Sequence, residues 1–301
     1  MDVLVTGATG FVGRRLVPAL CDRGHEVTVL VRDAARYDGP PGVRVVEGDL
    51  LEPGSFEAAL SVDAAYYLVH SMRAGGDYAE RDRRAAENFA DAAGARGVER
   101  VIYLGGLGED RDDLSPHLRS RREVERVLSE GDYALTTLRA AIVVGAGSAS
   151  FDMVRQLATR LPVMVAPRWV RTPCQPIAID DVVAYLVGVL DAPATAGRTY
   201  DIGGPEVLTY EEVLRRVGRQ LGGEPTVVTV PVLTPRLSSY WMGLMTDVPA
   251  SVARPLVEGL RNPVVVRDPS VNAVVDVDLT PFDEAVRRAL ASDAAAAATG
   301  D

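Results

Sequence analysis

Three glycines, Gly7, Gly10 and Gly13, stand between a short apolar run, Asp2 to Thr6, and a stretch of helical pattern, Val12 to Leu20. Gly7 allows a tight turn, Gly10 lets backbone approach a phosphate with no Cβ in the way, and Gly13 lets the helix pack closely. The free N–H groups at the helix start, aided by its dipole, then face an anion. The turn Gly7-Ala8-Thr9-Gly10-Phe11-Val12 is therefore a candidate phosphate cradle, the alternative being an ordinary strand-to-helix turn. A second pair carries proton chemistry. His117 and Arg121 are four apart and share a helix face. An imidazole with an ordinary pKa of about 6.5 suits proton transfer near neutrality, and Arg121 would bias it towards its neutral form. The plainer alternative is a solvated first turn with no chemistry. Asp180 and Asp181 look like a carboxylate pair, but adjacent helical side chains do not face each other, so a cap or salt-bridge role is expected. Cys21 and Cys174 make no metal-ligand spacing, and no metal site is expected. Histidines aside, every basic residue is arginine, which excludes lysine-dependent chemistry.

The elements that must position these groups alternate. Strands are expected over Asp2 to Thr6, His25 to Val31, Val43 to Glu47, Asp63 to Val69, Arg100 to Leu104 and Ala134 to Ala140. Helices are expected over Pro53 to Leu60, Tyr78 to Gly97 and Pro116 to Ser129, the last capped by Ser115. Strand-helix alternation predicts an α/β, doubly wound parallel sheet of Rossmann type over residues 1–150. A smaller C-terminal lobe, interleaved with the sheet, is expected over 151–291, and a flexible tail over 292–301. In the lobe, helices are expected over Phe151 to Arg160, Ile177 to Leu190 and Thr209 to Leu221, with Pro162 to Pro176 rich in loops. Leu233 to Leu260 should hold two helices, and its Tyr240, Trp241, Met242 and Met245 could pack the lobe, line an apolar pocket, or contact a membrane or partner.

In such a sheet ligands bind at the carboxyl ends of the strands, which places Leu68, Val69 and His70 beside a bound dinucleotide. Arg32 ends the second strand, where an arginine accommodates a ribose 2′-phosphate, so NADP(H) is favoured over NAD(H), although Asp33 follows at once. The chain has 301 residues, 47% hydrophobic and 25% charged, and its net charge of -10 argues against nucleic acid. No apolar run is long enough to span a bilayer and no signal peptide is found, so a cytoplasmic location is expected.

Several motifs in order resemble the short-chain dehydrogenase/reductase superfamily in its extended and atypical branches. They are Thr6 to Gly13 (TGATGFVG), Gly48-Asp49-Leu50, Asn88, Leu138 to Gly145, Pro176 to Val182 and Tyr200 to Gly204. The resemblance implies adenine beside Asp49 and Leu50, and nicotinamide towards Leu68, Val69, His70 and Ala141. It also implies a Ser or Thr after the fifth strand and a Tyr-x-x-x-Lys pair in the next helix. Here Gly105-Gly106 ends that strand, and the helix reads Ser115-Pro116-His117-Leu118-Arg119-Ser120-Arg121. His117 and Arg121 are the candidate substitutes. The first expectation is an NADP(H)-binding oxidoreductase acting on a small-molecule carbonyl or enone, with an apolar substrate left open. The second is a non-catalytic NAD(P)H-binding sensor, or an accessory subunit of a respiratory complex, with a protein partner or second copy held through the C-terminal lobe. A sugar-nucleotide epimerase ranks third, since it needs the tyrosine.

Overall fold

The computed structural model describes residues 1–71, 77–108, 114–161, 163–230 and 258–299. The first half alternates as its apolar pattern requires: β1 (Asp2–Thr6), α1 (Gly13–Asp22), β2 (Glu26–Val31), β3 (Arg44–Glu47), β4 (Ala64–Tyr67), α2 (Tyr78–Ala95), β5 (Arg100–Gly106), α3 (Pro116–Leu128) and β6 (Ala134–Ala140). There follow β7 (Val143–Val144), α4 (Ala149–Arg160), β8 (Val163–Pro167), β9 (Pro173–Cys174), β10 (Ile177–Ala178), α5 (Ile179–Asp191), β11 (Thr199–Ile202), β12 (Leu208–Thr209), α6 (Tyr210–Gln220), β13 (Thr226–Val230) and α7 (Phe282–Thr299).

A seven-stranded sheet runs in the order β11-β6-β5-β4-β1-β2-β3, and every pairing in it is parallel. It is the expected doubly wound α/β sheet, whose strand order reverses direction between β1 and β4. A parallel sheet is covered on both faces, and β1 shows why. Val3 and Val5 pack with Leu16, Leu20, Val182 and Leu186 of α1 and α5. Leu4, between them, points the other way and packs with Phe89 and Val124 of α2 and α3. Tyr66 and Tyr67 divide in the same manner, and both are core residues. Tyr66 donates its hydroxyl to the Leu186 carbonyl at 2.9 Å.

The later segments build a second core from α4, α6, α7 and the strands between them, while β11 from the same segments completes the large sheet. Pro162 to Pro176, expected as loop, holds β8, which pairs in parallel with β13. Pro53 to Leu60, expected as a helix, makes only a 3-10 turn at Glu57–Ala59. Gly54 lies in the left-handed region at φ 93°, and the Glu57 carboxylate accepts from the amides of Gly54 and Phe56. Those bonds fix a turn in place of a helix. The alanine run expected as a flexible tail is part of α7, helical through Thr299. Alanine is the best helix former, and Phe282, Ala285, Val286 and Ala289 anchor the first half of that helix in the core. The aromatic and methionine group at Tyr240 to Met245 lies outside the described residues. Cys21 and Cys174 are free thiols, and among the described residues no helix is long and apolar enough to cross a membrane.

Candidate active site

The glycine turn leaves β1 against the end of β4. Gly7 has φ 68°, and a Cβ there would lie 2.8 Å from the Leu68 carbonyl oxygen. A Cβ on Gly13 would lie 2.3 Å from the Gly7 carbonyl oxygen, and one on Gly10 would lie 3.0 Å from it. The Gly10 amide donates to the Gly7 carbonyl at 2.9 Å and closes the turn. No side chain caps α1; the Arg14 and Arg15 amides donate to the carbonyls of Gly10 and Val12, so the amides of the turn just before them are the ones placed to face an anion. Glycines at each close approach, an uncapped helix start and no acidic side chain in that first turn fit the pyrophosphate of a dinucleotide.

Arg15, passed over in the sequence, braces this turn. Its guanidinium donates to the carbonyl of Phe11 at 2.8 Å and of Ala146 at 2.7 Å, and it lies 4.7 Å from the centre of the Phe11 ring. The acceptor at Ala146 is distant in sequence, which is why no local pattern announced it.

A cavity of about 300 Å³ opens on the turn. Gly7, Gly10, Phe11, Val12 and Gly13 line one side, and Leu68 and His70 continue the wall from the end of β4. Gly105, Gly106 and Leu107 follow from β5, Ala140 to Val143 from the end of β6, and His117, Leu118 and Arg121 from α3. Of the other residues expected near a cofactor, Ala8 is buried beneath the turn and Thr9 is exposed on it. Val69 is packed partly against the core. Arg32 is exposed at the end of β2. Asp49 turns its carboxylate back to the Leu51 amide at 2.9 Å. The Leu50 side chain is buried among Phe56 and Leu60, and its carbonyl accepts from the Asn88 side-chain amide at 2.7 Å.

His117 is the second residue of α3, after the cap Ser115 and Pro116. Ser115 accepts from the Leu118 amide at 3.3 Å. The half-buried imidazole is pushed down to about 3, first by burial, then by the charge of Arg121, then by His70. The positive end of the helix dipole acts in the same direction. Behind Arg121 stands Asp82 of α2, buried to 4% exposure. Burial pushes its carboxyl up, while Arg121 and hydrogen bonds from Ser71 pull it down. The sequence signal for Asp82 was a lone carboxylate on the apolar stripe of Tyr78, Ala85, Ala86 and Phe89. Tyr103 donates its hydroxyl to the Arg121 carbonyl at 3.2 Å and ties α3 to β5.

Asp180 and Asp181 part company. Asp181 is buried and accepts from the Thr280 amide at 2.9 Å and hydroxyl at 2.8 Å. Asp180 is exposed, 3.6 Å from Arg288. Neither lines the cavity.

The NAD(P)H-binding family matches residues 7–146, the span that carries the turn, His70, His117 and Arg121. A (4-alkanoyl-5-oxo-2,5-dihydrofuran-3-yl)methyl phosphate reductase of Streptomyces griseus is 31% identical over 230 residues, which cover 73% of this chain and 74% of that protein. The chain belongs to the atypical short-chain dehydrogenase/reductase superfamily. It is a member of an NAD(P)H-binding, reductase-like group within it. A 3-diazoavenalumate denitrifying reductase of a Streptomyces species is 29% identical over 276 residues, covering 80% of this chain and 88% of that one. The fold extends to a nucleoside-diphosphate-sugar epimerase of Staphylococcus aureus, with TM-score 0.75 at 15% identity, covering 95% of this chain and 100% of that chain.

Proposed function

We propose that this superfamily member is an NADP(H)-dependent reductase of a small-molecule carbonyl or enone, in which His117 and Arg121 stand in for the usual tyrosine and lysine. The observation that carries this reading is that His117, Arg121 and His70 converge on the same cavity as the Gly7 to Gly13 turn. Gly7 to Val12 would hold the pyrophosphate, Asp49 and Leu50 the adenine, and Leu68, Val69, His70 and Ala141 the nicotinamide end. Arg32 would take the 2′-phosphate. Among the described residues Arg32 makes no ion pair, whereas Asp33 accepts from the Ala35 amide at 3.1 Å and pairs with Arg36 at 3.0 Å. Asp33 is thereby occupied, which supports NADP(H) over NAD(H).

A bound nicotinamide supplies the hydride. The chain's own part is electrostatic. His117 is neutral near pH 7 and polarises the carbonyl as a hydrogen-bond donor, not as an imidazolium acid. The Arg121 guanidinium offsets the negative charge that develops on the same oxygen, where a partly desolvated site strengthens the interaction. His70 is exposed yet lines the cavity, and it gives the proton that finally neutralises the oxygen a path from solvent.

The test is consumption of NADPH by the full chain across a panel of ketones, aldehydes and enones. Turnover that falls in His117→Gln supports the reading. NADPH binding with no turnover on any compound overturns it in favour of a sensor or accessory role.

A further inference from the structure

The cavity extends well past the groups that a cofactor and a carbonyl would touch. Beyond Leu107 and Leu118 its wall is made by Met153, Val154 and Leu157 of α4 and by Met164 and Ala166 of β8. Val170, Leu214 of α6 and Val264 close it. These side chains face a common core, and none is more than 9% exposed. Over the whole described lining, Arg121 is the sole arginine and there is no Asp or Glu. Among the described residues, the far arm offers polar side-chain atoms only at Ser150, Trp169 and Tyr210.

That composition selects against one class of ligand and for another. A nucleotide sugar brings a diphosphate and several hydroxyls, and burying them without cations or hydrogen-bond partners is costly. A hydrocarbon chain needs neither and gains by leaving water. The fold is shared with a nucleoside-diphosphate-sugar epimerase, but the described walls of this arm carry no charged side chain to hold a diphosphate.

We infer that the arm between α4, β8 and α6 takes an extended apolar chain, so that the compound reduced at His117 and Arg121 is a carbonyl or enone with a hydrocarbon tail, not a nucleotide sugar. This rests on the reductase reading above for the word reduced, and on the walls alone for the tail. The carbonyl end sits at the α3 side chains, and the tail runs away from the glycine turn into the second core.

The experiment separates the two parts. Methyl ketones lengthened from hexanone to dodecanone, two carbons at a time, are titrated calorimetrically into the full chain with and without NADP+, and NADPH consumption is followed on the same series. UDP-glucose is the competitor. Each added methylene should tighten binding about fourfold until the arm is full, and UDP-glucose should not displace the longest ketone. Met164→Trp should end the gain at a shorter ketone. Leu214→Ala, which widens the same wall, should move it to a longer one and serves if the tryptophan variant does not fold. Affinity that is flat along the series, or displacement by UDP-glucose, overturns the inference. Rising affinity without NADPH consumption removes the reductase reading and still supports the arm as an apolar-chain site.

Discussion

His117 and Arg121 share one face of α3, and the charge of the second adds to burial in pushing the imidazole of the first down to about 3. A proton donor kept neutral in this way acts by polarising a carbonyl. Replacing His117 by Phe should lower the rate of carbonyl reduction by about a hundredfold or more while the affinity for NADPH stays within error. Steady-state kinetics beside a nucleotide titration check it.

The same relationship has a pH signature. The ordinary imidazole pKa of 6.5 is lowered to about 3 in the folded chain. Between those values the unfolded state binds more protons than the folded one, so stability rises with pH. This contribution is fully present above about 6.5 and is lost progressively as pH falls towards 3. Denaturant midpoints measured across that window should slope upward with pH, and His117→Asn should flatten the slope.

The cradle predicts a graded response to methyl groups. Gly13→Ala sets a Cβ 2.3 Å from the Gly7 carbonyl oxygen, so the turn must shift, at a cost of about 1–3 kcal/mol. Gly10→Ala meets the same oxygen at 3.0 Å, a milder contact. Gly10→Ala should remain folded and bind NADPH at least about tenfold more weakly, a loss on the scale of one hydrogen bond to a charged group. Thermal melts and nucleotide titrations of the two variants distinguish them.

Arg32→Ala should weaken NADPH binding by about ten- to a hundredfold, the scale of a charge-assisted hydrogen bond, and leave NADH unchanged. Equal losses for both nucleotides would place the 2′-phosphate elsewhere.

The legible parts of this fold were those dictated by neighbours in sequence. β6 was read at Ala134 to Ala140, and there it is. The helix expected from Thr209 is there as α6, opened by a capping box of Thr209 with Glu212 through reciprocal bonds at 3.2 and 2.7 Å. The cavity-lining part of the glycine turn, with His70, His117 and Arg121, could be named from spacing and strand ends. What stayed hidden depends on partners far along the chain. β8 pairs with β13 across some sixty residues, and the prolines around it read locally as loop. Arg15 finds its second carbonyl at Ala146 only through the fold. Asp82 owes its raised carboxyl to burial, which Arg121 on another helix only partly offsets. The apolar arm is assembled from α4, β8 and α6 together, and none of those segments alone looks different from ordinary core.

In the proposed reaction the Gly7 to Gly13 turn holds an NAD(P)H cofactor beside His117 and Arg121. Calorimetric titration of NADPH and NADH into the purified, folded full chain tests it most directly. Binding should be saturable with one nucleotide per chain, tighter for NADPH, and weakened in Gly10→Ala. Absence of binding to either nucleotide by folded protein would contradict it.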